Sequence, residues 1–269
     1  MPAWRSTDMA LPFYTEISVY SYNAGAFSPV KLSVNAEYPV AVFVNGEPVA
    51  TIACSGADVH ELAVGFLMAE GIIKGYEEIS ALDFNEDTLT IEAALGNTEI
   101  FPGQFSTAHI VTGGGRAKRN IPPKSLVRKN NPTVDADVIC RAIDEFLHSS
   151  AMHELTHGVH SAALYRISGE KIIFYDEIGR HNAIDKVIGR AAMNSVGLDN
   201  SMLLSTGRIS SEIAMKVIQC GVPVFISRAS PTDYAASLLK EYNVVSLCRA
   251  HEDRFLIING RENIVRTSS

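Results

Sequence analysis

Three short stretches in the second half of the chain carry the residue types that hold anions. They are Asp176-Glu177-Ile178-Gly179-Arg180-His181-Asn182, Ser205-Thr206-Gly207-Arg208-Ile209-Ser210-Ser211 and Ser227-Arg228-Ala229-Ser230-Pro231-Thr232. Each has an arginine among small hydroxyl, amide or glycine residues, between a strand-like apolar run and a helix-like amphipathic run. A helix start leaves four N–H groups without partners and concentrates partial positive charge there. Glycine lets backbone approach an anion, and an adjacent arginine adds a planar, bidentate phosphate contact. The chemistry indicated is a pocket for a phosphate-bearing, nucleotide-like ligand. Serine and asparagine are also ordinary helix caps, and Pro231 suits a first helical position. One such junction alone would therefore read as structural; three in succession point to a ligand. Neither G-x-x-x-x-G-K-[ST] nor G-x-G-x-x-G occurs, so neither an ATPase loop nor a standard dinucleotide fold is supported.

Other residues offer less. His157 and His160 are spaced as a zinc pair could be, but no C-x-x-C follows and the spacing fits a strand entrance, so no metal is expected. His181, with Arg180 beside it and Asp185 four residues on, reads either as a ligand contact or as a cap of its own helix. Asp176 and Glu177 would suit a ribose or base edge, or a solvated strand end. A nucleophilic thiol needs exposure and a lowered pKa. Cys140 lies on a helix, Cys248 ends a strand and Cys220 closes a helix, where the dipole opposes a thiolate. Cys54 alone stands near a helix start. Packing remains the first expectation for it.

The elements that must position these residues follow from periodicity. Val40–Val44, Asn45-Gly46 and Val49–Cys54 read as a hairpin, since Asn-Gly tolerates φ > 0 at both turn positions. Asp58 to Glu70 reads as a helix, with Val59, Leu62, Ala63, Phe66 and Leu67 on one face and a capping box from Asp58 to Glu61. Thr88–Ala94 is a further strand. Residues 110–132 hold three glycines, prolines and six basic residues and read as a loop. The spacing then predicts a helix over Asp135–Ser149, with the domain boundary near its start (1–134 and 135–269). Strands at Ser161–Ile167 and Lys171–Tyr175, joined as a hairpin through Ser168-Gly169-Glu170, and at Met202–Ser205, Val224–Ser227, Val244–Cys248 and Phe255–Asn259 alternate with helices at Asn182–Ser195, Ser210–Gln219 and Pro231–Lys240. Such alternation indicates an α/β domain with a largely parallel sheet covered on both faces, beside a smaller α+β N-terminal domain.

With 269 residues, 46% of them hydrophobic, the chain can bury one large or two medium cores. A net charge of −7 and no long basic run argue against a nucleic-acid partner. No secretory signal pattern and no membrane-length apolar run is seen, and four cysteines without C-x-x-C suit reduced thiols in the cytosol.

At Glu61-Leu-Ala-Val-Gly-Phe-Leu-Met-Ala-Glu-Gly-Ile-Ile73, Gly179-Arg-His-Asn-Ala-Ile-Asp-Lys-Val-Ile-Gly189, Thr206-Gly-Arg-Ile-Ser-Ser-Glu212 and Ser227-Arg-Ala-Ser-Pro-Thr232 the sequence resembles the FdhD/NarQ accessory proteins of formate dehydrogenase. The resemblance implies a cytoplasmic, dimeric sulfurtransferase. It would take sulfur as a persulfide from a cysteine desulfurase and pass it to the molybdenum (or tungsten) bis(molybdopterin guanine dinucleotide) cofactor, which is then installed in formate dehydrogenase. It also implies a three-layer α/β/α, cytidine-deaminase-like fold and a cofactor stretch at Phe225, Ile226, Ser227, Arg228, Ala229 and Ser230. Gly207, Arg208, Arg180 and His181 would complete the site, with GDP as a surrogate ligand. One departure is chemical. Where the family carries C-G-x-C, this chain has Thr112-Gly113-Gly114-Gly115, so Thr112 and Gly115 stand at the cysteine positions and the persulfide carrier is missing there. His157 also replaces a glycine, and Asp176-Glu177 replaces Glu-Asp. A cofactor-binding adaptor without persulfide chemistry is the alternative reading.

Overall fold

The computed structural model describes residues 11–96 and 121–266. Residues 110–120 of the expected central loop, including Thr112 and Gly115, lie outside them. In chain order the elements are β1 (Tyr14–Asn23), β2 (Ala26–Asn35), β3 (Tyr38–Val44), β4 (Glu47–Cys54), α1 (Val59–Ala69), β5 (Ile79–Asn85), β6 (Thr90–Leu95), β7 (Val134–Asp135), α2 (Ala136–Leu147), α3 (Ala151–Thr156), β8 (His160–Arg166) and β9 (Lys171–Glu177). They continue with α4 (Arg180–Met193), β10 (Ser201–Ser205), α5 (Ser211–Gln219), β11 (Val224–Ser227), α6 (Asp233–Glu241), β12 (Val245–His251), β13 (Arg254–Asn259) and β14 (Ile264–Val265).

The main sheet has six strands in the order β13-β12-β11-β10-β8-β9. Only β10, β11 and β12 run parallel; β8–β9 and β12–β13 are hairpins, and β8 is antiparallel to β10. The expectation of a largely parallel sheet is corrected to this mixed one. Its tight connections at 167–170 and 252–253 are too short for the crossover that a parallel partner needs. Alternate residues of the central strands feed two cores. Leu203, Phe225 and Cys248 meet α4, α5 and α6 on one face, while Leu204, Ile226 and Leu247 meet Ile139, Ile143 and Phe146 of α2 on the other. The result is three layers.

The N-terminal sheet is ordered β4-β3-β6-β5 and is backed by α1. The Asn45-Gly46 hairpin forms with both residues at positive φ. The β1–β2 ribbon, β5, the short α3 and the two-residue pair β7–β14 have no counterpart among the elements expected from the sequence. Asp58 does not cap α1 with its side chain. It sits at φ 48° and its carboxylate turns toward Arg190 at 3.8 Å. Pro231 is not the first residue of α6. It pairs with Ile209, and Thr232 takes the cap by accepting the N–H of Ala235 at 3.2 Å. Among the described residues no helix is long and apolar enough to cross a membrane.

The two sheets are joined by α1 packing against α4. A Cβ on Gly65 would lie 1.8 Å from the carbonyl oxygen of Asp185, and one on Gly189 would lie 1.9 Å from that of Glu61. Backbone thus touches backbone, reciprocally, in an antiparallel crossing. Beside it Glu177 and Lys186, both fully buried, pair at 2.5 Å. Glu177 also accepts the N–H of Ser55 at 2.9 Å and its hydroxyl at 2.7 Å. Asn182 donates to the carbonyl of Ala53 at 2.8 Å.

Alanine is the better helix former by about 1 kcal/mol, yet no side chain fits here. We expect Gly65→Ala and Gly189→Ala each to lower unfolding free energy by roughly 2–3 kcal/mol. Urea denaturation checks this, and an unchanged midpoint would contradict the packing described.

Candidate anion-binding site

Because β9, β10, β11 and β12 all point the same way, their C-terminal ends share one edge of the sheet, where β8 begins. The three junctions meet there. The second and third are knit together by backbone and hydroxyl groups. Ser227 donates to the carbonyl of Gly207 at 2.6 Å and accepts the N–H of Ala229 at 3.0 Å. The N–H of Arg228 reaches Ser205 at 3.0 Å, and that of Thr232 reaches Ile209 at 2.9 Å. Thr206 is tied to Ser161 of β8, whose N–H its hydroxyl accepts at 3.0 Å. These bonds fix the edge before any ligand arrives.

Arg180, the first residue of α4, lays its side chain over Gly207. A Cβ at Gly207 would come within 2.6 Å of Arg180 Cβ and 2.7 Å of Cδ. Glycine is therefore needed for this arginine to reach the second junction. Its Nε is buried and has no hydrogen-bond partner. Burial first, and then the neighbouring Arg208 guanidinium, pull the Arg180 pKa below its ordinary value. Arg208 and Arg228 are exposed. None of these three arginines forms a salt bridge among the described residues, in a chain of net charge −7.

His181 follows Arg180 and is only 3% exposed. Neither ring nitrogen has a hydrogen-bond partner, and the nearest carboxylate, that of Glu212, is 3.9 Å from Nε2. Burial, then Lys216, Arg180 and His160, push its pKa down to about 2. The ring is a neutral imidazole with one donor and one acceptor unspent. Buried polar groups in folded chains nearly always find partners, so these orphaned atoms are what a polar ligand would satisfy.

Several candidates read from the sequence belong elsewhere. The side chains of Phe225 and Ile226 are fully buried in the two opposing cores, because consecutive strand residues face opposite ways; they do not line the edge. Ala229 and Ser230 do reach it. Glu177 is not at a ribose or base edge: the joint to the N-terminal sheet consumes both its oxygens. Asp176 accepts the hydroxyls of Ser150 at 2.8 Å and Ser161 at 2.7 Å. Asp185 is not a ligand contact either, being fully buried against Lys216 at 2.8 and 2.9 Å. Burial pushes its carboxyl up to about 6 despite that partner. His157 ends α3 in the left-handed conformation and stacks edge-on with His153, whereas His160 starts β8 beside Thr206.

All four thiols are shifted away from thiolate, with burial as the first cause. Cys54 is fully buried and raised to about 11, Cys220 is raised to about 12, and Cys140 and Cys248 move in the same direction. The burial of Cys54 agrees with the packing role first expected for it and does not support its candidacy as a nucleophile. The helix start near it does not offset its burial and the facing Glu177 carboxylate.

The family pattern for FdhD/NarQ matches residues 35–265. The chain belongs to that family. The sulfur carrier protein FdhD of Listeria monocytogenes serovar 1/2a is 33% identical over 250 residues, covering 90% of this chain and 95% of the relative. That of Bacillus subtilis is 28% identical over 252 residues, covering 91% and 95%. The fold matches the crystal structure of a candidate formate dehydrogenase accessory protein from Desulfotalea psychrophila, with a TM-score of 0.77 and 24% identity over 94% of this chain and 100% of that one.

His181 ties the site to acid stability. Its folded pKa lies below the unfolded value, so its contribution is complete above pH 6.5 and is lost as pH falls toward about 2. Half-buried His160 shifts the same way. We expect His181→Gln to flatten the stability–pH curve below pH 6.5 by up to about 1.4 kcal/mol per pH unit, measured by denaturation between pH 4 and 7. An unaltered slope would show that His181 titrates freely.

Proposed function

We propose that this chain is a formate dehydrogenase accessory protein that binds the molybdenum bis(molybdopterin guanine dinucleotide) cofactor at the arginine edge and supports its sulfuration and delivery. The observation that carries the reading is the set of unpaired cationic and polar groups there: Arg180, Arg208 and Arg228, with both nitrogens of His181. A guanine dinucleotide offers phosphates for the guanidinium groups and amide-like edges for a neutral imidazole, so the residues present fit it. The cofactor is cargo, and its metal is the sulfur acceptor in the reaction that the family resemblance implies. This chain's residues bind and orient: Gly207 admits the Arg180 side chain, Ser227 holds the loop, and the rigid edge keeps the phosphates fixed.

The name sulfur carrier, printed for the relatives, supports the sulfuration half of the proposal. The second reading is a cofactor-binding adaptor without persulfide chemistry; the relatives' name does not favour it, while burial shifts all four cysteines away from thiolate. Cytoplasmic residence is supported by those free cysteines. A homodimer is supported by the β1–β2 ribbon, which carries seven of the large hydrophobics left exposed, among them Tyr20, Tyr22 and Phe27. The three layers support kinship with the cytidine-deaminase-like fold.

Calorimetry with GDP tests the site. Arg228→Ala should weaken binding by about 1.5–3 kcal/mol, the range of a charge-assisted hydrogen bond. Unchanged affinity would remove Arg228 from the site. Incubation with a cysteine desulfurase and cysteine, followed by mass spectrometry, tests sulfur transfer. Sulfane sulfur on any of the four cysteines supports the carrier role, and none on all four leaves the adaptor.

A further inference from the structure

A fourth arginine reaches the same edge from an element that no helix start explains. Arg249 lies inside β12, is exposed, and has φ 49°. Most other non-glycine residues at positive φ occupy hairpin turns, such as Ala24, Asn45 and Leu89, or follow helix ends, such as His157, Ser195 and Asn243. Arg249 does neither.

The pairing of β12 with β13 gives the reason for the local shape. Cys248 pairs with Leu256 and His251 with Arg254, so Arg249 and Ala250 together face the single Phe255. This is a bulge with one extra residue, and glycine is the residue that takes a left-handed position of this kind without strain. The bulge returns Ala250 to the α2-side core, where Leu247 already lies, and leaves Arg249 outside it. The N–H of Arg249 bonds the carbonyl of Ala229 at 3.2 Å, which fixes it beside the third junction. Arg228 and Ala250 line one small cavity, a second link between the bulge and that junction. Arg249 makes no salt bridge among the described residues. Strained conformations persist where the arrangement is used, and bulges re-aim side chains next to binding sites.

We propose that Arg249 is a further ligand-binding residue of the arginine edge, taking a second phosphate of a polyphosphorylated ligand. The proposal rests on the anion-binding reading of that edge. The strand ends that carry Arg208 and Arg249 are two strand spacings apart, roughly 10 Å. The row is therefore longer than one phosphate needs. A ligand with adjacent phosphates engages Arg208 and Arg228 with one and Arg249 with the next. The left-handed backbone is kept because it aims the guanidinium along the edge.

Two variants of the full chain separate this from a structural role. Arg249→Gly keeps the favoured backbone conformation and removes the guanidinium, and Arg249→Lys keeps a point charge. Binding is measured by calorimetry with GDP, GMP, inorganic pyrophosphate and inorganic phosphate, alongside thermal midpoints. We expect Arg249→Gly to have a midpoint at or above that of the unsubstituted protein. It should lose about tenfold or more in affinity for GDP and pyrophosphate, the effect of one charge-assisted hydrogen bond. GMP and phosphate should change less than about threefold, the small effect expected of a charge that makes no direct contact, and Arg249→Lys should recover part of the loss. Equal losses for mono- and diphosphates, or no loss at all, would overturn the assignment. Arginine-dependent pyrophosphate binding without GDP binding would uphold Arg249 and sink the guanine-dinucleotide reading. GDP binding that ignores Arg249 would do the reverse.

Discussion

The contact on which the rest depends is the crossing of α1 and α4, where two helix backbones meet with no side chain between them. Two glycines in helix interiors cost about 2 kcal/mol of helix propensity against alanine. That sacrifice is offset only because the approach brings Ser55 and Ala53 within hydrogen-bond reach of Glu177 and Asn182. A buried ion pair needs such extra bonds, since desolvation alone can exceed its Coulombic gain. Glu177 receives the N–H groups of Ser55 and Ile178, the Ser55 hydroxyl and the Lys186 ammonium. The N-terminal sheet is thereby fastened to the strand end that launches α4.

That fastening sets the position of the first junction. Gly179 and Arg180 follow Glu177 within three residues, so an anchored carboxylate determines where the arginine begins. Arg190, one turn past Lys186, continues the clamp by pairing with Glu61 at 2.6 Å and bonding the Tyr175 hydroxyl at 2.8 Å. Between these anchors α4 has little freedom to slide. The Arg180 stem can therefore lie on Gly207 with its Nε held out of water, a placement that a looser helix would relax. Stability in one half of the chain is thus converted into preorganisation at an edge of the other.

Much of this was legible in the sequence, and the failures have physical causes. Hairpin and helix positions follow from Asn-Gly and from periodicity, and three arginine-bearing junctions on one edge follow from alternation of strands and helices. The β8–β9 hairpin follows from Ser168-Gly169-Glu170, whereas β12–β13 and β8–β10 pair antiparallel although their strands carry the same apolar pattern as the central ones. The β1–β2 ribbon has no burial signature in the sequence, because Tyr20, Tyr22 and Phe27 are exposed and its pattern does not mark a buried face. The roles of Glu177 and Asp185 could not be read, since their partners Ser55 and Lys216 are distant in sequence. The stretches Glu61–Ile73 and Gly179–Gly189 gave the family its resemblance, yet most of their residues build the joint rather than the site. Arg249 carried no signal, because a bulge depends on register with a neighbouring strand.

The electrostatics of the edge limit what His181 can do there. Burial opposes its protonation first, and Lys216, Arg180 and half-buried His160 add to that. An arriving polyphosphate would cancel the charge contribution but not the burial, and would deepen the latter by excluding water. The ring therefore remains neutral at neutral pH with or without a ligand. A proton-transfer role would need a pKa near the working pH, and a value near 2 is too far from it. What remains is hydrogen bonding through one donor and one acceptor, at a point where arginine would already meet the charge of the proposed ligand. For the ligand proposed, the division of labour would follow: guanidinium groups would supply attraction along the edge, and the neutral imidazole would supply discrimination by the pattern of donors and acceptors it faces.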